Sequence, residues 1–476
     1  MTAPLVLAVH EDTNANAALV RGNEILAAVA EERLSRVKYQ PGFPARAVAE
    51  VLRLGGVSLD AVDAVVAGNR YHFLPRLPLA AAAVEGEHDL NGLQHRAWLS
   101  LQSRFRRGGV AARVAEAIGR QSLGRRFGRP VDFVDHHTAH AWSAYLTSPF
   151  DEALAVSVDN VGDGHAARCF RCRGGRMELL WSSDAAESPG QFYGEISQAL
   201  GFHVLMAGKV TGLAARGDPR VAMPLMEELF SLSHDGTTFV LPPLWTRRRG
   251  ARLRERLAAF SREDVCAAAQ ARLEQVLVAY VRGALRETGL RHVVLAGGVF
   301  ANVLVNHRLW QLPEVDGLFV HPAMSDQGIA AGAALGYGAG REAMVPAAIP
   351  HVYLGPAFTE DEMGRALEAA KVPHHRSPDV EREVADAILA GEVVGRFTGA
   401  MEYGPRALGN RSILYHTTDP TVNTWLNQRL NRSEFMPFAP ATLAEEAAAC
   451  YEGYGPGVAH TARFMTITFP CTEFMR

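Results

Sequence analysis

Cysteine is scarce in this chain: Cys169, Cys172, Cys266, Cys450 and Cys471 are the only five in 476 residues. So few, so scattered, they exclude a disulfide scaffold and read as ordinary reduced thiols. Cys169-Phe170-Arg171-Cys172 is a lone CxxC inside an apparent strand, without the second pair or histidine couple that a zinc site needs. Long apolar runs are missing too. No stretch reaches the span of a bilayer, and the start, MTAPLVLAVHED, lacks the basic segment and apolar core of a signal peptide. The chain is therefore read as cytoplasmic, with no membrane partner. Charge of either sign is not in excess: the formal net charge of −3 provides no bulk attraction to nucleic acid. Two common motifs are also absent. Without GxxxxGK[ST] there is no Walker A loop, and without HExxH the usual metalloprotease is excluded.

What the chain does have is concentrated between Val131 and Gly164, VDFVDHHTAHAWSAYLTSPFDEALAVSVDNVGDG. An apolar run (Val131, Phe133, Val134) reads as a strand, and a histidine-rich turn leads into a helix ending near Leu146. Residues four apart share a helix face, so His136 and His140 can aim two imidazoles at one point. A second apolar run, Ala153 to Val158, delivers Asp159 at a strand end before Gly162 and Gly164. Two nitrogens beside a carboxylate suit a borderline divalent metal. Spacing alone favours His136 capping the helix and His140 packing in a core; Asp159 and the following glycines bring the metal reading level with that one.

The length accommodates two or three domains. Residues 5–33 read as three strands, the first ending at His10, and a helix follows over about 45–54. The same order recurs at Ala153–Asp159, His165–Arg173 and Met177–Ser182, which predicts two related halves. His10 and Asp159 then stand at the carboxyl ends of corresponding strands, where α/β sheets gather ligands. Residues 80–130 look helical. The basic clusters at Arg104 to Arg107, Arg125-Arg126 and Arg247 to Arg249 read as solvated faces. Residues 188–217 mix a helix with a glycine-bearing loop around Gly208-Lys209 and Gly212, which can bring backbone amides and an ammonium to a phosphate. The strand at 292–296 runs into Gly297-Gly298 and Asn302, a place for a nucleotide or simply a tight turn. Asp326 lies at a strand–helix junction, as N-cap or as ligand. A small-residue helix follows at Ile329–Gly340, then a proline-rich linker over 346–356. Beyond it, Gly399 to Ser412 puts Arg406 and Arg411 in a loop suited to phosphate or carboxylate.

In this order, AVHEDTNANAAL, AEERLSRVKYQPGFP, DHHTAHAWSAYLTSPF, SVDNVGDG, AGKVTGLAARG, GGVFANVLVNHRL, SDQGIAAGAALG, MEYGPRALGNRSIL and LNRSEFMPFAP resemble the NodU/CmcH family of carbamoyltransferases. That family includes antibiotic-tailoring O-carbamoyltransferases of the nebramycin and cephalosporin kind. The resemblance covers nearly the whole chain. It implies an α/β protein with a duplicated actin/hexokinase-like (RNase H-like) domain over 1–345, followed by a YrdC-like α/β domain over 346–476. It implies carbamoyl phosphate and ATP as co-substrates, a carbamoyl-adenylate, and transfer to a hydroxyl of a small acceptor such as a natural product or sugar. A homodimer is compatible with it. By motif, His136, His140, Asp159 and Asp326 would hold Fe(II) or another divalent metal. Gly297, Gly298 and Asn302 would lie along the nucleotide, with Lys209 near its phosphates. Arg406 and Arg411 would serve carbamoyl phosphate and adenylation. A metal can polarise the carbamoyl carbonyl, and His10 is the candidate base for the acceptor hydroxyl. A substrate-orienting role for His10 is an equal alternative. Lys38 and Glu32 are acceptor-side candidates.

Two departures stand out. The family has a short histidine-aspartate pair after the first strand, whereas His10-Glu11-Asp12-Thr13-Asn14 is longer and more polar. Family members also run on beyond TITFPCTEFMR, so the second module is expected to be incomplete, with adenylation impaired or supplied by another chain. Two competing functions remain: a tRNA-modifying carbamoyl-type transferase, and a binding or regulatory pseudoenzyme with a defective second domain.

Overall fold

The computed structural model describes residues 3–71, 93–106, 108–242, 249–416, 418–419, 421–431 and 438–475. Arg107, Arg247, Arg248, Arg432 and Glu434, singled out in the sequence or adjoining its arginine-rich stretches, lie outside them. Strands β1 (Leu5–His10), β2 (Asn16–Arg21) and β3 (Glu24–Ala30) form an antiparallel meander. On the other side of β1, β4 (Ala64–Ala67) and β5 (Val131–Phe133) add in parallel. Every residue of β1 is buried, as a central strand covered on both faces requires. The second sheet repeats the plan. Antiparallel β6 (Glu152–Gly162), β7 (His165–Arg173) and β8 (Arg176–Asp184) are followed, past a small β9–β10 hairpin (Ser231–Leu232, Phe239–Val240), by parallel β11 (His292–Ala296) and β12 (Gly317–Val320).

The sheet orders, β3-β2-β1-β4-β5 and β8-β7-β6-β11-β12, are equivalent strand for strand, so the molecule is an α/β fold built from two like halves. Strands β1 and β6 correspond, and their carboxyl ends open on one crevice between the sheets. Cys169 and Cys172 lie in β7 as buried free thiols. Among the described residues no helix is long and apolar enough to cross a membrane.

Two helices form the layer between the sheets. The helix His136–Leu146 is buried at every position except Thr138, which marks it as a core element rather than a surface one. Asp135 caps it, its carboxylate accepting the Thr138 amide at 3.0 Å. Beside it runs Ile329–Ala339, IAAGAALGYGA. Its small residues are there for proximity. A Cβ on Gly332 would stand 2.0 Å from the Ala139 carbonyl oxygen, and one on Gly336 2.5 Å from Trp142. The opposite face of the second sheet is covered by the long helix Arg262–Thr288 and its neighbours, with Phe230, Phe239, Leu277 and Tyr280 fully enclosed.

Two sequence expectations are revised. The stretch around Gly208 and Lys209 is a short helix, Gly208–Ala214, not a loop, because Val210 and Leu213 pack into the core beneath it. The proline-rich 346–356 segment is docked chain rather than a free linker. Ala347 and Ile349 amides bond the Leu146 and Thr147 carbonyls at 3.0 and 2.9 Å, and the Ala28 amide of edge strand β3 bonds the Leu354 carbonyl at 3.1 Å. Among the described residues, the one strand contact of the final stretch is an isolated bridge between Tyr451 and Cys471.

After the docked segment come two helices, Glu360–Ala369 and Val380–Leu389, and an antiparallel pair, β13 (Val394–Phe397) and β14 (Arg411–Leu414). The chain then returns to the first sheets' core. Helix Pro456–Ala462 lies against β12, with the Thr461 hydroxyl donating to the Leu318 carbonyl at 2.6 Å and Asn306 donating to the Thr466 carbonyl at 2.7 Å.

The helix contact yields a direct expectation. Gly332→Ala should destabilise the fold by about 1–3 kcal/mol through overpacking against Ala139, measured as a lower urea midpoint with an unchanged slope. An exposed control such as Gly364→Ala, where a Cβ meets nothing within 4 Å, should not.

Candidate metal centre

Helical spacing does for His136 and His140 what the sequence predicts: both imidazoles face the crevice, with ring centroids 4.9 Å apart. Because Asp135 takes the capping role, His136 is free of it. Asp159 arrives from β6 and Asp326 from the short turn of helix after β12. His140 Nε2 is 3.2 Å from Asp159 and 3.6 Å from Asp326, and His136 Nε2 is 3.7 Å from Asp326. One ligand atom from each of the four lies within 4.8 Å of all the others. Atoms bound at about 2.1 Å to one tetrahedral ion stand roughly 3–4 Å apart, so the arrangement needs little adjustment to hold a cation. Asp326 does not cap its helix; its carboxylate faces the imidazoles.

The donor set fits a metal on a second ground. Both ring nitrogens of His136 and His140, and both of His10, are buried with no hydrogen-bond partner among the described residues. Buried polar atoms are ordinarily paired, so this convergence calls for a ligand. Electrostatics agree. Burial opposes a charged His140, yet Asp159 and Asp326 outweigh it and push its pKa up to about 9. Burial and the neighbouring Asp159 push Asp326 up to about 7, while His140 holds Asp159 well below the carboxylate range. The pocket thus traps a proton where a cation would sit. Burial, helped by its imidazole neighbours, drives the pKa values of His10 and His136 down.

Glycines set the walls. Gly162, ending β6, leaves room for His136, whose ring a Cβ would meet at 2.1 Å. Gly297 adopts φ +108° where a Cβ would strike the Val158 backbone, and the Gly298 amide donates to Asp159 at 2.8 Å. The glycine pair read as a nucleotide loop therefore also orients a metal-site carboxylate. Asn302 caps the next helix and forms a reciprocal amide pair with Gln270, at 2.8 and 3.1 Å. Its polar atoms are occupied within the protein, so it shapes the loop. Thr211, two residues beyond Lys209, joins that network, and the Lys209 ammonium lies 5.5 Å from the Phe202 ring centre.

His10 is brought to the cluster, its Nε2 3.8 Å from Asp326. Lys38 is at the rim: it pairs with Glu32 at 3.1 Å, and the same Glu32 oxygen accepts from Gln327, next to Asp326. Arg406 reaches the glycine-bearing loop after β11, donating to the Ala301 carbonyl at 3.2 Å, while its buried Nε has no hydrogen-bond partner among the described residues. Arg411 is placed differently. Its guanidinium donates to the carbonyls of Thr398, Gly399, Asn410 and Pro356 and stacks on Phe397, which makes it the tie of its loop.

Sequence reasoning missed several supporting residues. Asn16, opposite His10 in the hairpin register, donates to the Asp326 carbonyl at 2.8 Å and accepts from the Ala330 amide. Asp163 gathers the Arg70, Tyr71 and His136 amides. Glu402 accepts three amides, from Leu408, Asn410 and Arg411, on one oxygen. A strand-end asparagine and an aspartate before a glycine were the available signals for the first two.

Comparison with known proteins gives a consistent result. Residues 7–335 match the model for the carbamoyltransferase N-terminus and residues 385–476 that for the carbamoyltransferase C-terminus. Nodulation protein NolNO of Sinorhizobium fredii is 31% identical over 97% of this chain and 66% of its own length. An uncharacterised protein of Synechocystis is 31% identical over 92% of this chain and 75% of its own. Nodulation protein NolO of Bradyrhizobium diazoefficiens is 33% identical over 67% of this chain, which spans 60% of that protein. Among solved structures, HypF of T. kodakarensis is similar at 13% identity and a TM-score of 0.42, covering 72% of this chain and 48% of that one.

Two measurements probe the cluster. Co(II) or Fe(II) affinity, by titration calorimetry, should rise about tenfold per pH unit between pH 7 and 9, because the ion must displace the His140 proton. Gly162→Ala should weaken binding by about 10–100-fold by displacing the His136 ring, and should also lower the melting temperature, since the displaced ring lies in a buried site.

Proposed function

The chain belongs to the carbamoyltransferase family, and we propose that it carbamoylates a hydroxyl of a small acceptor, a natural product or sugar, from carbamoyl phosphate and ATP. In this reading water first releases inorganic phosphate from carbamoyl phosphate, and an oxygen of the resulting carbamate then attacks the ATP α-phosphorus, forming a carbamoyl-adenylate and releasing pyrophosphate. The acceptor oxygen then bonds the carbamoyl carbon, the bond to AMP breaks, and the hydroxyl proton leaves to a base. The observation that carries the reading is the meeting of His136, His140, Asp159 and Asp326 with a fifth group, the buried His10, beside Asp326.

His10 suits the base. It is neutral, since burial and the His136 and His140 imidazoles depress its pKa, and its unpaired nitrogens leave a lone pair for the proton. A divalent ion, Fe(II) in the reading we favour, would polarise the carbamoyl carbonyl and stabilise charge developing on its oxygen. His136, His140, Asp159 and Asp326 would hold it. The Gly297–Ala301 backbone and the Lys209 helix line the place for adenosine phosphates. Arg406 adds a half-buried guanidinium whose unpaired Nε fits a phosphate oxygen. Lys38 and Glu32 stand at the rim, where an acceptor would enter. The adenylation step we assign to the YrdC-like part, residues 346–476.

The test is a two-stage assay. Carbamoyl phosphate-dependent exchange of labelled pyrophosphate into ATP reports the first step. A panel of amino sugars and hydroxylated natural products, followed by mass spectrometry for one added carbamoyl group, reports the second. His10→Gln should lower kcat of transfer by about 10²–10⁴-fold and leave pyrophosphate exchange intact. Carbamoylation of tRNA but of no small alcohol would overturn the acceptor class, and absence of both stages with metal supplied would overturn the reading.

A further inference from the structure

A chain of buried hydrogen bonds joins the 401–406 loop, which precedes β14, to the helix that carries His136 and His140. Thr147, at the end of that helix, donates its single hydroxyl hydrogen to the Ser143 carbonyl at 2.6 Å. It therefore meets His321 Nδ1, 3.0 Å away, as an acceptor, and Nδ1 carries the proton. That leaves His321 Nε2 as a lone pair, which takes the Tyr403 hydroxyl hydrogen at 3.1 Å. Burial, with His140 nearby, pushes the His321 pKa down to about 3, so the imidazole is neutral and this tautomer complete. The relay ends on the Ser143 backbone carbonyl; the Ser143 hydroxyl separately donates to the His140 carbonyl at 2.8 Å. The three bonds from Tyr403 point the same way and end on the backbone of the helix that carries His136 and His140. All four side chains are buried.

His321 also opens the segment that runs from the end of β12 to Asp326. The loop bearing Tyr403 is pressed onto that segment: a Cβ on Gly404, at φ +99°, would stand 2.7 Å from the Pro322 carbonyl oxygen. Arg33 holds the Gly404 carbonyl at 3.0 Å, and Arg406 holds that of Ala301. One loop therefore touches the strand end leading to Asp326, the nucleotide-loop backbone and, through His321, the histidine helix.

We propose that Tyr403 and His321 are positioning residues that fix the separation of Asp326 from His136 and His140 and lock the 401–406 loop over the cluster. The inference rests on the reading of the four residues as a metal centre, and it adds a coupling between that centre and the part of the chain carrying Arg406. A merely structural hydrogen bond would affect stability alone; this one sets the geometry of the ligands.

The test uses the full chain with Tyr403→Phe, His321→Gln and, as control, Tyr353→Phe, which removes a different tyrosine hydroxyl bond to the same region, to the Leu408 carbonyl. Amide hydrogen exchange of residues 140–147 in metal-free protein should accelerate several-fold in Tyr403→Phe and not in Tyr353→Phe. The Co(II) dissociation constant should rise about tenfold in Tyr403→Phe, less in His321→Gln, which retains a donor and an acceptor, and not in the control. Exchange and Co(II) affinity in Tyr403→Phe that match the control would overturn the inference. Wild-type protein that binds no Co(II) would count against the metal reading, while the exchange comparison would still decide the hydrogen-bond chain.

Discussion

Three imidazoles and two carboxylates withdrawn from water into one crevice are the constraint to which the rest of the molecule answers. Each buried polar group without a partner costs about 1–3 kcal/mol, and two carboxylates so close resist joint ionisation. The protein offsets part of this internally. The Gly298 and Asn160 amides satisfy Asp159, Asn16 fixes the Asp326 backbone, and a proton is retained on His140. The ring nitrogens facing inward are left unmet. A cation held there would resolve both difficulties together, completing the nitrogens and allowing both carboxylates their charge.

That resolution depends on packing some distance from the chemistry. The four cluster residues come from a helix, the end of β6 and the turn after β12, so their spacing is only as accurate as the seating of the sheets on the central helices. Gly332 and Gly336 let those helices approach to backbone contact, and Gly68 admits Ile329 beneath β4. Small residues here serve the site indirectly, by removing slack between the elements that carry its ligands.

Local chemistry was legible in the sequence where it follows a short period. His136 and His140 are one helical turn apart, His10 and Asp159 end matching strands, and the repeated strand pattern announces two like sheets. Asp326 was ambiguous because an aspartate at a helix start is ordinarily a cap, and only the fold shows it facing His136. Residues whose partners are remote gave no signal. Asn16 and Asp326 are 310 positions apart, and the Tyr403–His321 contact joins segments 82 positions apart. Polar side chains committed inside the protein were equally opaque: neither Asn302 nor Arg411 shows in its spacing that backbone and neighbouring amides already occupy it. At Gly208 to Ala214, core burial of Val210 and Leu213 prevailed over the loop tendency of two glycines.

The return of the chain to β12 has a mechanical consequence. Residues 356–445 leave the first sheets by a segment pinned to β3 and to the end of the histidine helix, and the polypeptide comes back through Pro456–Ala462 on the far edge of the second sheet. Between these anchors the chain is fastened once more, where the Tyr403 amide donates to the Val352 carbonyl at 2.7 Å and Arg33 donates to the Gly404 carbonyl at 3.0 Å. With Arg33 of the first half and Ala301 of the second both bonded to it, the 401–406 stretch bridges the two sides of the crevice, so a displacement of either side strains its contacts with the other.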